Sequence, residues 1–327
     1  MKNILLFILL SAATQLSNAY VNEYGHNRIA LMAYHFLEQC GHKSITRHYS
    51  INDIYTVVNG STSVDTSVLP FSIYNRLFDW HFYKAEKSIE NGTLTLVDTP
   101  WFLFNGTFKN PWKKLLVKYQ KENDRNEKLK WLGGFAHFIE DMANPAHIIP
   151  AFHMAGVKDG IDDFKSSYYN KPPSELIFKA ISKHQLHPCK VFENRYSQLQ
   201  HKISISVFNQ VRDNLVEVTK NELKQDIDHC PGFKWADFYS EAKEGDFFGG
   251  FHMQKLQTVF RYKNKKWQKH IVNEKVVIGY EGTLMKNNNS NMTCSFIKSA
   301  YQPFIDRLFL NAIIADAMLL KSQAKTF

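Results

Sequence analysis

Four stretches of the chain space their apolar residues at the three- and four-residue intervals of an amphipathic helix. The first covers about residues 27–38, the second precedes Pro145, the third lies near residue 210, and the fourth lies close to the end of the sequence. Pro145 and Pro150 are expected to stop the second helix, because proline cannot donate a helical backbone hydrogen bond. The apolar positions that define the four predicted helices are Ile29, Ala33, Phe36 and Leu37; Leu129, Leu132, Ala136 and Ile139; Val207, Val211, Leu215 and Val218; and Phe304, Leu308, Ala315 and Leu319.

Two other regions show no helical pattern. Residues 50–80 look irregular, and the run Asn59-Gly60-Ser61-Thr62 is typical of a loop. Residues 255–295 are polar and basic, so we expect a surface excursion there, with a small hairpin around residues 276–280. No internal repeat or linker divides the chain. The pattern therefore predicts one mainly α domain with a small irregular or β excursion in its C-terminal third.

The first 19 residues are typical of a secretory signal peptide. Lys2 provides the positive start, residues 4–13 are apolar apart from Ser11, and Ser17-Asn18-Ala19 provides the small residues of a cleavage site. The apolar run is short for the alternative, a membrane anchor. We therefore expect residues 20–327 to form a secreted or periplasmic domain. The rest of the sequence has no charge-free run of about 18 residues, so we expect no transmembrane anchor in the mature chain.

The composition excludes several classes of protein. The chain has 327 residues, of which 44% are hydrophobic. This is enough apolar material for a core, and it excludes a disordered, collagen-like or disulfide-only chain. Lys and Arg number 40 against 31 Asp and Glu, which gives a formal net charge of +9. This charge fits an anionic partner such as lipid headgroups or nucleic acid, without identifying it.

The four cysteines gain meaning from the predicted export. Cys40, Cys189, Cys230 and Cys294 are even in number, so one or two disulfides are expected in an oxidising compartment, with three possible pairings. The alternative is a set of free, buried thiols. No Cys-x-x-Cys spacing occurs, which disfavours a cysteine-based zinc site.

Residues 137–147, with the sequence His-Phe-Ile-Glu-Asp-Met-Ala-Asn-Pro-Ala-His, carry the strongest chemical signal. His137 and Asp141 lie four positions apart on the predicted helix, so their side chains project from one face. Pro145 allows the chain to turn back, which brings His147 toward the same place. Imidazole and carboxylate groups are ligands that suit zinc. This combination is expected by chance only about 0.001 times in such a chain; the alternative is a core histidine capped by a nearby aspartate.

The same segment resembles the zinc-dependent phospholipase C family, which shares its helical fold with the P1/S1-type nucleases. The family pattern is His-Tyr-x-[Gly/Thr]-Asp-x-x-x-Pro-x-His, and here Phe138 replaces the tyrosine and Glu140 replaces the small residue before Asp141. Strong likeness covers residues 130–165 and is greatest to a secreted bacterial branch that hydrolyses phosphatidylcholine. The Gln-Pro-x-His ending of the nuclease branch is absent. The resemblance implies a multi-helix phospholipase C/P1 nuclease-like fold and up to three zinc ions.

The resemblance also implies zinc ligands before the central motif. An early histidine of the family matches His26, and the amine and carbonyl of the mature N-terminus would be those of Tyr20, where the family favours tryptophan. An aspartate and a histidine about 15 residues apart match Asp65 and His81. Rival aspartates for the position of Asp65 are Asp53 and Asp79.

Further ligands are implied after the central motif. A histidine of the family matches His153, and an acidic residue should follow it. The compact form of the family places that acid where this chain has Val157, so Asp159 is the first choice. The rivals are Asp162 and Asp163. The complete set of predicted metal ligands is Tyr20, His26, Asp65, His81, His137, Asp141, His147, His153 and Asp159.

The activity implied by the resemblance is hydrolysis of the glycerol-side phosphodiester of phospholipids such as phosphatidylcholine, which yields diacylglycerol and a phosphorylated headgroup. Asp141 would bridge two zinc ions, and Asp65 would bind one and orient the attacking water. The expected partner is phospholipid at a membrane surface, with no stable nucleic-acid complex. A P1/S1-type nuclease, a phosphomonoesterase and a non-enzymatic lipid- or surface-binding protein remain alternatives. Candidate lipid-contacting aromatic residues are Phe71, Tyr74, Trp80, Tyr83, Trp101, Phe102 and Phe104.

Overall fold

The computed structural model confirms a mainly α protein. Its helices, numbered in chain order, are α1 (His26–Gln39), α2 (Lys43–Thr46), α3 (Ile51–Thr66), α4 (Lys109–Lys121), α5 (Arg125–Glu140), α6 (Pro145–Ile148), α7 (Pro188–Gln198), α8 (Ser206–Leu223) and α9 (Gln302–Gln323). The residues that the structure describes are 25–66, 83, 93–95, 105–107, 109–149, 161, 166–170, 172–179, 185–200, 206–240, 250–251, 258–263, 266–271, 282–286 and 292–327.

Helix α9 forms the centre of the described core. It is apolar around most of its circumference and is buried along nearly its whole length, as expected for a helix enclosed by others. It packs against α1, α5 and α8. Its two acidic residues, Asp306 and Asp316, are buried as well. Asp306 accepts hydrogen bonds from Ser166 and Ser167, and Asp316 lies beside Glu140 at the end of α5.

The expectation that residues 50–80 are irregular is wrong for Ile51–Thr66, which form α3. Ser50 and Asp53 cap its start reciprocally: the Asp53 carboxylate accepts the Ser50 N–H at 2.6 Å, and the Ser50 hydroxyl accepts the Asp53 N–H at 3.1 Å. Residues 67–80 lie outside the part of the chain that the structure describes.

The glycine in α3 serves a helix–helix contact instead of a turn. A Cβ atom on Gly60 would lie 2.2 Å from the carbonyl oxygen of Lys130 in α5, and a Cβ on Gly133 of α5 would lie 2.0 Å from the carbonyl oxygen of Val57. The two backbones therefore approach more closely than any side chain at these positions would permit. The loop-like composition of this segment reflects that close approach.

The end of α5 follows the predicted break. The helix ends at Glu140, a 3-10 turn covers Asp141–Ala143, and Asn144 is extended with φ −85° and ψ 117°. A residue before proline avoids the helical conformation, so Pro145 accounts for this extended residue. The Asn144 side chain then accepts the Ala146 N–H at 2.9 Å and caps α6. This reversal places α6 directly after the end of α5.

The β structure consists of short antiparallel pairs, most of them in the C-terminal third, which confirms the expected β excursion. Residues 276–280, where a hairpin was expected, lie outside the described residues. The pairs are β1 (Thr93–Thr95) with β2 (Asn105–Thr107), β3 (Asp226–Ile227) with β4 (Cys230–Lys234), β5 (Tyr239–Ser240) with β6 (Gly250–Phe251), β7 (Thr258–Lys263) with β8 (Lys266–Ile271), and β9 (Gly282–Lys286) with β10 (Met292–Phe296).

All four cysteines are paired, so the alternative of free thiols is wrong. Cys40 bonds to Cys189 and joins the end of α1 to the start of α7, and Cys230 bonds to Cys294 and joins β4 to β10. Of the three possible pairings, the fold thus selects the one that connects neighbouring elements. Within the described residues, no helix combines the length and the apolar character needed to cross a membrane.

Candidate metal centre

Five of the predicted ligands converge at one buried place. His26 begins α1, Asp65 lies at the end of α3, His137 lies in the last turn of α5, Asp141 follows that helix, and His147 lies in α6. The side chains of the first four are fully buried, and that of His147 is 2% exposed. Groups that are far apart in the sequence therefore meet at one buried place, and their residue types are ones that bind metal ions.

Local structure explains why the central motif converges. His137 and Asp141 are one helical turn apart and project to the same side. The reversal at Asn144 returns the chain, so that His147 Nδ1 lies 3.7 Å from an oxygen of Asp141. The Thr219 hydroxyl of α8 donates a hydrogen bond of 2.8 Å to the Met142 carbonyl and holds the 3-10 turn in place.

Asp141 lies between the imidazoles. Its Oδ1 is 3.4 Å from His26 Nε2, and its Oδ2 is 3.5 Å from His137 Nε2. Asp65 has a similar position on the other side, because its Oδ1 lies 3.6 Å from His137 Nε2 and its Oδ2 lies 4.0 Å from His26 Nε2. Each carboxylate thus presents one oxygen to each of two histidines, and the four side chains form a group that could hold a metal ion.

These separations fit metal ligands better than direct hydrogen bonds. A hydrogen bond between a ring nitrogen and an oxygen is typically about 2.7–3.2 Å long. Two ligands of a tetrahedral zinc ion lie about 3.3–3.4 Å apart, because zinc–nitrogen and zinc–oxygen bonds are roughly 2.0–2.1 Å long. The nitrogen–oxygen distances around Asp141 and Asp65 run from 3.4 to 4.0 Å, and the shortest of them are close to this second value.

His26, Asp65 and His137 each offer a ligand atom, and these atoms lie within 4.8 Å of one another. The rings of His26 and His137 are stacked, with centroids 3.9 Å apart and planes inclined by 30°. Two stacked imidazoles beside a shared carboxylate form a group that could hold a metal ion.

The electrostatics of the pocket favour bound positive charge. Burial alone lowers the pKa of His26, but the carboxylates of Glu140 and Asp141 outweigh burial and raise that pKa from 6.5 to about 10. Three carboxylates, those of Asp65, Glu140 and Asp141, are buried around this imidazole. So much buried negative charge is costly unless cations compensate it. A proton or a divalent cation can provide that compensation.

Glu140 is a polar group of the site that sequence reasoning noted only as a departure from the family pattern. Its carboxylate is fully buried and contacts His26 Nδ1, on the side of the ring opposite to Asp141. The same oxygen accepts a hydrogen bond of 3.3 Å from the Ser61 hydroxyl of α3. Asp316 of α9 is a second buried carboxyl group next to Glu140. The available signal was an acidic residue at 316 within an otherwise apolar helical stretch.

The remaining predicted ligands stay predictions. Tyr20, His81, His153 and Asp159 lie outside the described residues, as do the rivals Asp79, Asp162 and Asp163. Tyr83 is described, and its N–H donates to the His147 carbonyl at 2.8 Å, which joins this aromatic residue to α6.

The rival Asp53 lies outside the cluster. It forms an ion pair of 3.0 Å with Arg125 at the surface end of α5. Asp65 therefore stays the first choice.

A second group with metal-binding residue types consists of His229, Cys230 and Cys294. The two sulfurs are joined in a disulfide, which removes them as thiolate ligands. This group therefore stabilises the junction of β4 and β10.

Comparison with known proteins leaves the chain without an assigned relative: no family model, no curated protein and no solved structure matches it.

Proposed function

We propose that the protein is a secreted zinc-dependent phospholipase C, which hydrolyses the glycerol-side phosphodiester of phospholipids such as phosphatidylcholine. The observation that carries this proposal is the convergence of His26, Asp65, His137, Asp141 and His147 in one buried pocket. The expected secretion rests on the signal-peptide pattern of residues 1–19.

The donor set supports zinc over the other common divalent cations. Calcium and magnesium prefer oxygen ligands, whereas this pocket combines three imidazoles with carboxylates. Zinc takes such mixed nitrogen and oxygen ligands in a tetrahedral arrangement, and the ligand separations around Asp141 fit that geometry. His26, Asp65, His137, Asp141 and His147 would hold the metal, and Tyr20, His81, His153 and Asp159 complete the proposed set for up to three ions.

The residues of the pocket prepare it for phosphodiester hydrolysis. Bound zinc supplies charge that offsets the negative charge developing at phosphorus and lowers the pKa of water to near neutrality. Asp141 presents one oxygen toward His26 and the other toward His137, and would be a ligand for metal bound beside either histidine. Asp65 has the same two neighbours and can accept a proton from an attacking water. No serine or cysteine nucleophile is needed in this scheme.

The substrate class rests on the sequence motif, and the net charge is compatible with it. Residues 137–147 resemble the phosphatidylcholine-hydrolysing branch of the zinc-dependent phospholipases C. The net charge of +9 favours approach to the anionic surface of a membrane.

The test is hydrolysis of phosphatidylcholine in vesicles by purified protein, before and after complete removal of zinc, and again after zinc is restored. We expect activity to disappear on removal and to return with zinc. Full activity in the metal-free protein would overturn the proposal. Single-stranded DNA and a phosphomonoester are assayed in parallel, because preferential hydrolysis of either would replace the phospholipase with the nuclease or phosphatase alternative. A chain that binds fewer than two zinc ions and hydrolyses none of these substrates would be a binding protein.

A matched pair of variants separates chemistry from folding. Asp141→Asn removes a shared ligand of the proposed centre. Asp306→Asn changes another buried aspartate, which bonds to Ser166 and Ser167 instead of the histidines. We expect only the first variant to lose hydrolysis.

A further inference from the structure

One fully buried carboxylate of the cluster, that of Glu140, is not among the proposed zinc ligands. Glu140 is fully buried, and its Oε2 contacts Nδ1 of His26. Nε2 of the same ring points the other way, toward Asp141 Oδ1 at 3.4 Å and Asp65 Oδ2 at 4.0 Å. The imidazole is therefore held between one carboxylate on its Nδ1 side and two on its Nε2 side.

We propose that Glu140 is a positioning residue, which accepts the Nδ1–H of His26 and thereby turns Nε2 of that imidazole toward Asp141 and Asp65. A histidine that binds a metal through one ring nitrogen commonly donates its other N–H to a carboxylate, which sets its tautomer and its orientation. The benefit to a metal rests on the proposed zinc centre, whereas the orientation itself does not.

The surroundings of Glu140 keep its carboxylate in place. The Ser61 hydroxyl of α3 donates to Oε2 at 3.3 Å. The buried carboxyl group of Asp316 in α9 lies beside Glu140. Residues from α1, α3, α5 and α9 thus meet at a single carboxyl group, which leaves it little freedom to rotate.

Asp316 is a buried acid beside Glu140 that favours its neutral form. Complete burial, followed by the neighbouring Glu140 carboxylate, raises the pKa of Asp316 well above its ordinary value.

The experiment uses the full chain with ¹⁵N-labelled histidine. The proton of an imidazole N–H bonded to a buried carboxylate exchanges slowly with water and resonates far downfield of the backbone amides. We expect one such resonance, coupled to Nδ1 of His26, with and without zinc. In the double variant Glu140→Met/Asp316→Leu it should disappear. Replacing a buried polar pair with apolar residues of similar size is often neutral for stability, so this variant is expected to fold.

Zinc affinity provides a second readout, measured by competition with a chromophoric chelator. We expect the double variant to bind the weakest zinc ion about 10- to 100-fold less tightly, as for loss of other groups that orient a metal ligand. Glu140→Gln retains an oxygen acceptor for the imidazole N–H, so it should keep the resonance. Its zinc affinity should fall by less than about tenfold. Asp306→Asn alters α9 about 15 Å away along the helix axis and should change neither readout.

The outcomes separate this inference from the proposed function. If the resonance is absent from the wild-type chain or persists in the double variant, Glu140 does not orient His26. If the resonance behaves as expected but zinc affinity is unchanged in the double variant, the contribution of Glu140 to metal binding is overturned. A wild-type chain that shows the resonance but binds no zinc supports the orientation and refutes the proposed phospholipase.

Discussion

The close contact between α3 and α5 and the candidate metal centre lie along the same helix–helix interface, so a perturbation of one should reach the other. Gly133 faces the backbone of α3 at Val57, and His137 follows one turn later, about 6 Å along the helix axis. On α3, Asp65 lies two turns after Val57. Gly133→Ala therefore inserts a methyl group between α5 and α3, the two helices that position His137 and Asp65.

The magnitude of this perturbation follows from the distances. The new Cβ would lie 2.0 Å from the Val57 carbonyl oxygen and 2.7 Å from the Ser61 nitrogen. Both are backbone atoms, so the helices must separate by about 1 Å to reach normal contact. Overpacking of this kind costs about 1–3 kcal/mol. The higher helix propensity of alanine returns at most about 1 kcal/mol. We expect a net loss of about 1–2 kcal/mol in the free energy of unfolding.

The same displacement should weaken metal binding. Asp65 Oδ1 now lies 3.6 Å from His137 Nε2, and functional groups must be held within about 0.5 Å of their working positions. We expect Gly133→Ala to lose at least tenfold in zinc affinity, measured by chelator competition, with stability measured by urea unfolding. Asn59→Ala, at an exposed position of α3, serves as the control and should leave both unchanged. A Gly133→Ala protein with wild-type stability and zinc affinity would refute the close-contact argument.

Three further predictions concern catalysis, covalent stabilisation and pH. Asp141→Asn should reduce phosphatidylcholine hydrolysis by at least about 1,000-fold, the loss typical of removing an essential catalytic group. The thermal unfolding of this variant should stay close to that of the wild type. Retained turnover would exclude Asp141 as the bridging ligand. Replacing both Cys40 and Cys189 with serine should lower the free energy of unfolding in urea by about 3–5 kcal/mol, because that disulfide spans 149 residues; an unchanged midpoint would contradict it. Burial alone would raise the pKa of Asp53, but hydrogen bonds from Arg125 and Ser50 outweigh burial and lower that pKa below 3.8. The ionised carboxylate of Asp53 therefore stabilises the fold above about pH 4, and this contribution is lost as the pH falls further. The stability difference between the wild type and Asp53→Asn, from urea titrations at several pH values, should therefore be constant above pH 5 and shrink below pH 4; a difference that grows on acidification would contradict the assignment.

The sequence was informative wherever one pattern dominated. The apolar spacing predicted α1, α5, α8 and α9, because each buries a continuous stripe against the core. The combination of residues 137–147 predicted a cluster, and the structure brings its two histidines and its aspartate together. The early His26 joined the candidate set only through the family resemblance, and the fold places it beside Asp141.

The errors have physical causes. Helix α3 was missed because Asn, Gly, Ser and Thr are typical of loops, whereas here Gly60 permits contact with Lys130 of α5. That requirement belongs to the packed pair of helices and leaves no local signal. The roles of Glu140 and Asp316 were missed for a similar reason: they lie 176 residues apart in the numbering, and only the fold makes them neighbours.

The most direct test of the account is anomalous scattering at the zinc edge from crystals of the protein. The account predicts a peak about 2.0–2.2 Å from both His137 Nε2 and an oxygen of Asp65, with Asp141 as a shared ligand to a second peak beside His26. Zinc bound elsewhere, or no peak among these four residues in crystals grown with zinc, would contradict it.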